Sequence, residues 1–450
     1  MEQLRVVLAT LAIIIVCGSA SASDYVITKY GTATDTTRLS TTAVQKAIDK
    51  CSRDGGGRVV IPSGSFKIGS IFLRSNVCLW LEAGATLYGS TDIRDYKPVK
   101  PDYLSLRTHV ETIQLIYAEG ARNVSIDGYG TIDGRGVSFK KQILDGSDEG
   151  IARPHLLRMV KCENVSVRNV TLRNSACWMQ HYLACDKVVI DGVKVFNRNN
   201  HNNDGLDLDG CHDAVVTNCI IDSDDDGIVL KSTSPRLCEG IIISNCIVSS
   251  HCNALKLGTE SNGGFRNVSI SNCIVKPSAD QSTRYFGLER GISTISVEMV
   301  DGGVLEDVAV SNITAEGTES PIFVRLGRRN RPYASNIPVT STGVLRRVRL
   351  SNITVTGAGA TGCSVTGVPG MPVEDITLSD ISISMHGGVS EDISLPPDEK
   401  AEGYPEATIW GKLPAKGFMV RHGRNVKFRN VEITTRNSDV RPDYVYDDVE

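Results

Sequence analysis

The sequence predicts an all-β solenoid, a single-stranded right-handed parallel β-helix with one capping helix near its N-terminal end. Three observations lead there. Short β-branched segments recur through the 450-residue chain, in its middle every 23 to 27 residues. Each segment ends in a second short apolar strand after an Asn, Asp or Gly turn. Examples are Asn164-Val-Ser-Val-Arg-Asn-Val-Thr-Leu, Gly240-Ile-Ile-Ile-Ser-Asn-Cys-Ile-Val and Asp307-Val-Ala-Val-Ser-Asn-Ile-Thr. No helical periodicity intervenes. Strands of four or five residues cannot bury an inner face alone, but they can when stacked on identical neighbours. Propeller blades need about 40 residues per repeat and leucine-rich repeats need spaced leucines, so neither fits.

The elements follow in chain order. Residues 1–22 have the pattern of an export signal: Arg5, an apolar stretch over 6–16, then Ala20-Ser21-Ala22 as a small-residue cleavage site. Residues 23–450 show no break in composition and are expected to form one domain. Residues 40–51 read as the capping helix, with Ala43, Val44, Ala47 and Ile48 at helical spacing and Ser40 as N-cap. In the repeats, Asn218, Asn245, Asn272, Asn312 and Asn352 share one turn position and are expected to stack as a side-chain ladder. Cys219, Cys246 and Cys273 fill a slot taken by Ile313 and Ile353 in later copies, so they read as buried free thiols. Exported chains form disulfides, and pairing among the other cysteines stays open. Residues 136–156, 327–343 and 390–416 read as loops, which would make the protein act on chain ends if they close one end of a groove.

Charge and composition exclude several classes. A formal charge of -4 and a pI near 6.1 provide no basic face of the kind nucleic acid demands. After residue 22 no apolar run approaches the ~18 residues that span a bilayer. A monomeric, secreted or periplasmic protein is expected. No Cys/His spacing points to a metal. Residues 222–227 copy the start of a calcium loop, but Thr233 stands where the bidentate Glu is required. No metal or cofactor is expected.

The chemistry lies in three neighbouring repeats. Asn202-Asn203-Asp204 precedes Gly205-Leu-Asp-Leu-Asp, Asp224-Asp225-Asp226 precedes Gly227-Ile-Val-Leu-Lys, and His251-Cys252-Asn253 precedes Ala254-Leu-Lys-Leu-Gly. Asp204, Asp226 and Asn253 therefore fall in one column, about 4.8 Å apart per coil, with Asp225 beside it. By alternation Leu206, Leu208, Ile228, Leu230, Leu255 and Leu257 point inward, while Asp207, Asp209, Val229, Lys231 and Lys256 point out. Stacked carboxylates raise one another's cost of ionisation, so a fold has no need of them. Two that grip a water, opposite a third that keeps its proton, are the apparatus of inverting glycosidic hydrolysis. The plain alternative is a solvated Asp ladder at the turns. Lys256 either binds an acidic sugar or pairs with a neighbouring Asp, and Trp178 either stacks under a sugar or belongs to the core.

At these residues the sequence resembles glycoside hydrolase family 28, the polygalacturonase and rhamnogalacturonan-hydrolase group of β-helices. The motifs run from Lys29-Tyr-Gly through Leu81-Glu-Ala-Gly-Ala-Thr-Leu and Gly130-Thr-Ile-Asp-Gly to Asn202-Asn-Asp-Gly and Asp225-Asp226. The resemblance implies metal-free inverting hydrolysis of a pectic poly- or oligosaccharide. Asp225 would be the general acid, and Asp204 with Asp226 would position and deprotonate the water. Two departures stand out. The family's Gly-His-Gly motif is here Cys252-Asn253-Ala254, and its Arg-Ile-Lys clamp for the galacturonate carboxylate is replaced in Gly291-Ile-Ser-Thr-Ile-Ser-Val. They point toward a rhamnogalacturonan-type substrate rather than plain homogalacturonan. Asn202, Asn253, Lys256, His181, Trp178 and Arg325 are the substrate-binding candidates, with Lys256 and Arg325 as replacements for the clamp. A polysaccharide lyase on the same fold and a non-catalytic carbohydrate-binding solenoid remain as rivals.

Overall fold

The computed structural model describes residues 23–33, 35–108, 112–139, 152–280, 282, 285 and 287–450. The export-signal pattern of residues 1–22 and most of the loop at 136–156 lie outside the described residues. Every inter-strand pairing between named strands is parallel, and strands inside the stack join their counterparts in the preceding and following coils. This is the expected right-handed parallel β-helix. No helix among the described residues is long and apolar enough to cross a membrane.

Three rows of strands wind along the axis, and in the later coils two of them fuse. Gly264–Val275 pairs with both Cys238–Ser244 and Ile247–Ser250, and from there the two rows run as single bent strands such as Val344–Ala358. The row that matters for function contains Gln180–Leu183, Leu206–Asp209, Ile228–Ser232, Asn253–Ser261, Gly291–Met299 and Thr318–Leu326. Its register aligns His181, Asp207, Val229, Lys256, Ser296 and Phe323 in one outward column. Leu206, Leu208, Ile228, Leu230, Leu255 and Leu257 are fully buried in the central core, as alternation requires.

The turns explain the recurrent Asn. Asn218, Asn245, Asn272, Asn312 and Asn352 all have φ between 51° and 56°, a left-handed conformation that Asn tolerates better than most residues. Their ladder is real in part. Asn352 Nδ2 donates to Asn312 Oδ1 at 2.7 Å and Asn312 to Asn272 at 3.0 Å. Asn218 instead donates to Asp191 at 2.9 Å and Asn245 to the Thr217 hydroxyl at 3.4 Å, both on the preceding coil.

The capping helix spans Thr41–Arg53 and buries Ala43, Val44, Ala47, Ile48 and Cys51 against the first coil. Ser40 is its N-cap residue, but the hydroxyl does not cap. It donates to the Ala33 carbonyl, while the Thr41 hydroxyl accepts from Gly69 N at 2.8 Å and ties the helix to the solenoid. All twelve described cysteines are free thiols, eleven of them buried, so the pairing left open by the sequence is absent among them. The last coil ends in Tyr444–Val449, which pairs with Phe418–Arg424 alone and carries Asp447 and Asp448 bonded to Arg421 and His422.

Leu230 sits at the middle of the stack, and its side chain is enclosed by coils on both sides. Leu230→Ala is expected to lower stability by about 2–5 kcal/mol, the cost of a core cavity. Urea unfolding followed by circular dichroism measures this, and an unchanged midpoint would refute the inward placement.

Candidate active site

Two glycines let the coils close. A Cβ on Gly205 would meet Ile221 Cγ2 at 2.5 Å and the Gly227 carbonyl oxygen at 2.6 Å; one on Gly227 would meet Val248 Cγ1 at 2.4 Å and the Ala254 carbonyl oxygen at 2.6 Å. The Asp-Gly pairs are therefore steric necessities as well as carriers of carboxylates. With them in place, Gly205 N donates to Asp226 O at 2.9 Å and Gly227 N to Asn253 O at 2.8 Å. Asp204, Asp226 and Asn253 stand on three successive coils.

Each acidic side chain has a distinct setting. Asp226 Oδ1 accepts from the Asn253 side-chain amide at 2.9 Å, and its Oδ2 lies 3.1 Å from Lys256 Nζ. Asp225 is half-buried; its Oδ1 accepts from Asp226 N at 2.9 Å and its Oδ2 from the Asn202 amide at 3.4 Å. Burial and the neighbouring Asp226 raise the Asp225 pKa against the opposing pull of Lys256 and Lys231. Asp204 and Asp207 are buried, each 3.7 Å from Lys231 Nζ. Burial raises both well above the usual carboxylate range, with repulsion from Asp207 and Asp225 adding to Asp204.

Two buried lysines organise the whole arrangement, and each faces three carboxyl groups. Lys231 approaches Asp204, Asp207 and, at 3.5 Å, Glu260. Lys256 approaches Asp226, then Glu406 at 3.6 Å and Glu298 at 3.8 Å. Burial alone would strip the proton from a lysine, but the acidic rings outweigh it and raise both ammonium pKa values. Within the first ring, burial would raise Glu260, yet Lys231, Arg107 and Arg329 hold it well below the ordinary range. In the second, burial raises Glu298, and it pushes Glu406 up to about 8.

The sequence-derived candidates divide into two groups. Asp204, Asp225, Asp226, Asn202, Asn253 and Lys256 come together. Three others do not join the cluster's open side. Trp178 is 2% exposed, with Arg107 at 4.3 Å and Lys231 at 4.7 Å from its ring centre, which makes it a support for Lys231. His181 is buried behind it, bonded through Nε2 to Asp209 at 3.0 Å, and desolvation lowers its pKa to about 3. Arg325 is 1% exposed and spends its guanidinium on Thr366, the Gly367 carbonyl and the Glu399 carbonyl. It braces the 390–416 loop and is not a free clamp.

The outward residues of this row are also less exposed than a bare outer wall would leave them. The 97–108 segment lays Arg107 over Trp178, and the 390–416 loop brings Tyr404 and Glu406 over Lys256. Residues 327–343 add Arg329, paired with Asp301, and Arg331, 3.9 Å from Glu260. Alternation had already put Asp207 and Lys231 on this face. Glu260, Glu298, Tyr404, Glu406 and Arg107 carry no repeat signature, so nothing local marks them. Asp225, Asp226 and Cys252 present ligand atoms within 4.8 Å of one another. Burial raises the Cys252 thiol pKa and Lys256 already supplies the cation on Asp226, so the set is a poor metal site.

Comparison with known proteins places the chain in a family. The family model for glycosyl hydrolases family 28 matches residues 51–401. The chain is 30% identical over 225 residues to a probable polygalacturonase of Vitis vinifera, covering 48% of this chain and 45% of that protein. It is 30% identical over 253 residues to an exo-poly-alpha-D-galacturonosidase of Dickeya chrysanthemi, covering 45% and 41%. The matched stretches thus span less than half the length of these two relatives. Among solved structures, a hyperthermoactive exopolygalacturonase from Thermotoga maritima superposes with a TM-score of 0.70 at 21% identity, over 92% of each chain. That similarity shows the shared β-helix.

Lys231→Met leaves three buried carboxyls without their ammonium and is expected to cost about 3–5 kcal/mol at neutral pH. Glu260, held low in the folded protein, adds stability only where an unfolded Glu is ionised, and that stability fades as pH falls. The deficit of the variant should therefore narrow as pH drops through about 4.3, the ordinary Glu value. Denaturant titrations across this range test the point; a deficit independent of pH would contradict it.

Proposed function

The chain belongs to glycosyl hydrolases family 28, and from that premise we propose that it is an inverting hydrolase of a pectic poly- or oligosaccharide. The observation that carries this is the half-buried Asp225 carboxyl, with its raised pKa, beside Asp204 and Asp226 on successive coils. A carboxyl whose proton affinity is raised by burial and a like-charged neighbour is suited to donate that proton to the leaving glycosidic oxygen. Asp226, anchored by Asn253 and Lys256, and Asp204 hold a water against the opposite face of the sugar. They take its proton as the hydroxyl adds to the anomeric carbon with inversion.

The favoured substrate is of rhamnogalacturonan type. In the stretch where family members carry the uronate clamp, Ser296 donates to Glu298 at 2.6 Å and Thr294 is bonded to Thr318. Lys256 is committed to its acidic ring. These side chains offer a uronate carboxylate no free cation, whereas an uncharged deoxy sugar meets no penalty there. Tyr404, 55% exposed with its ring 5.8 Å from Lys256, offers an aromatic face on which a sugar can stack. Action from a chain end is supported by the convergence of the 97–108, 327–343 and 390–416 segments around the site. The lyase alternative requires a neutral lysine or arginine as base, and the acidic rings hold both buried lysines cationic.

Asp225→Asn is expected to lower kcat by about 10²–10⁴-fold while the circular dichroism spectrum stays that of the parent. The assay is a panel of oligogalacturonates and rhamnogalacturonan oligosaccharides, read by the sugar released and by the anomer first formed. Single terminal sugars of inverted configuration, released from rhamnogalacturonan substrates, are the expected products. Near-normal turnover by the variant would remove Asp225 from the acid role, and mixed internal fragments at early times would exclude chain-end action.

A further inference from the structure

Glu406 is brought to the site from 153 residues beyond Asn253, by a loop whose own anchoring is firm. Ala407 packs with Cys252, Ile292 and Phe323, and Trp410 leans on the same apolar cluster while its Nε1 donates to the Asp398 carbonyl at 3.0 Å. The loop therefore needs no carboxyl to stay in place. Yet Glu406 is 5% exposed, its Oε1 accepts from Asn253 Nδ2 at 3.2 Å, and its Oε2 is buried with no hydrogen-bond partner.

Its two contacts are the informative part. Asn253 Nδ2 donates to Asp226 Oδ1 at 2.9 Å as well as to Glu406, and Lys256 lies 3.1 Å from Asp226 Oδ2 and 3.6 Å from Glu406 Oε1. The same amide and the same ammonium serve both carboxyls. We propose that Glu406 is a positioning residue for Asp226, a further carboxyl group that fixes the two shared donors against Asp226 and sets how fully they are available to hold it. This role rests on the hydrolase reading given above.

The physical sequence is direct. Facing Glu406 are Asp226, Cys252, Lys256, Glu298 and, on its own loop, Tyr404. One ammonium among three carboxyls cannot compensate three buried negative charges. Burial, with Glu298 and Asp226 nearby, keeps a proton on Glu406 up to about pH 8. In that state the carboxyl accepts from Asn253 through Oε1 without adding charge, and Lys256 acts mainly on Asp226. Once Glu406 ionises, a second negative charge competes for the ammonium and the amide that hold Asp226, and the carboxylate facing the water loses its fixed position.

The test uses the full chain and the oligosaccharide panel. The parent is expected to lose kcat/KM as pH rises through about 8. Glu406→Gln keeps the size and the Oε1 acceptor but cannot ionise, so it should retain kcat near neutral pH while this alkaline limb moves upward or vanishes. Glu406→Ala frees both donors from their anchor and is expected to lower kcat about tenfold or more, with KM changed far less. Rescue by Gln but not by Ala, together with the altered pH profile, is the supporting result. A Gln variant with the parental alkaline limb would overturn the role, since loop anchoring alone leaves that limb in place. This comparison stands even if the Ala variant fails to fold. A parent that hydrolyses nothing on the panel would overturn the hydrolase reading and this role with it, whereas an active parent beside an unchanged Gln variant overturns the role alone.

Discussion

A parallel register that repeats every coil, about 4.8 Å from the next, is the constraint on which the rest of this protein depends. It turns positions 22 to 27 residues apart into touching neighbours, so Asp204, Asp226 and Asn253 have no choice but to stack. Side chains that would repel in solution are forced into one another's field. The fold meets that cost through the inward leucines and valines, whose burial is repeated on every coil and does not depend on what the outward face carries.

The electrostatic consequence is a site built of two lysine-centred rings. A buried ion pair gives little net stability because desolvation consumes the Coulombic gain. What the rings provide here is control over where protons reside. Around Lys231, Glu260 is held ionised while Asp204 and Asp207 are driven toward the neutral form; around Lys256, Glu298 and Glu406 are driven the same way. Trp178 supports the arrangement, with the Arg107 and Lys231 cations both close to its indole.

Much of this was legible in the sequence, for a physical reason. Strand alternation and repeat spacing are the geometry of a solenoid, so the column Asp204, Asp226, Asn253 and the inward set from Leu206 to Leu257 could be written down from text alone. Glu406 and Arg107 could not, because long loops obey no period and reach the site by tertiary docking. The same limit explains Trp178 and Arg325. Alternation says which way a strand residue points but not what later covers it, and both ended under other segments. Ser40 shows a smaller version: the N-cap position was right, but the Ala33 carbonyl gave its hydroxyl a partner outside the helix.

The last coil carries an implication of its own. Among the described strands, Tyr444–Val449 is paired on one edge only, with Phe418–Arg424, and an edge of that kind is where a foreign strand can add. Asp447 and Asp448 sit on that strand, tethered by Arg421 and His422, and they place fixed acid groups where an incoming chain would dock. Charges held in place on an edge strand disfavour pairing with another strand, so this coil carries its own obstacle to strand addition.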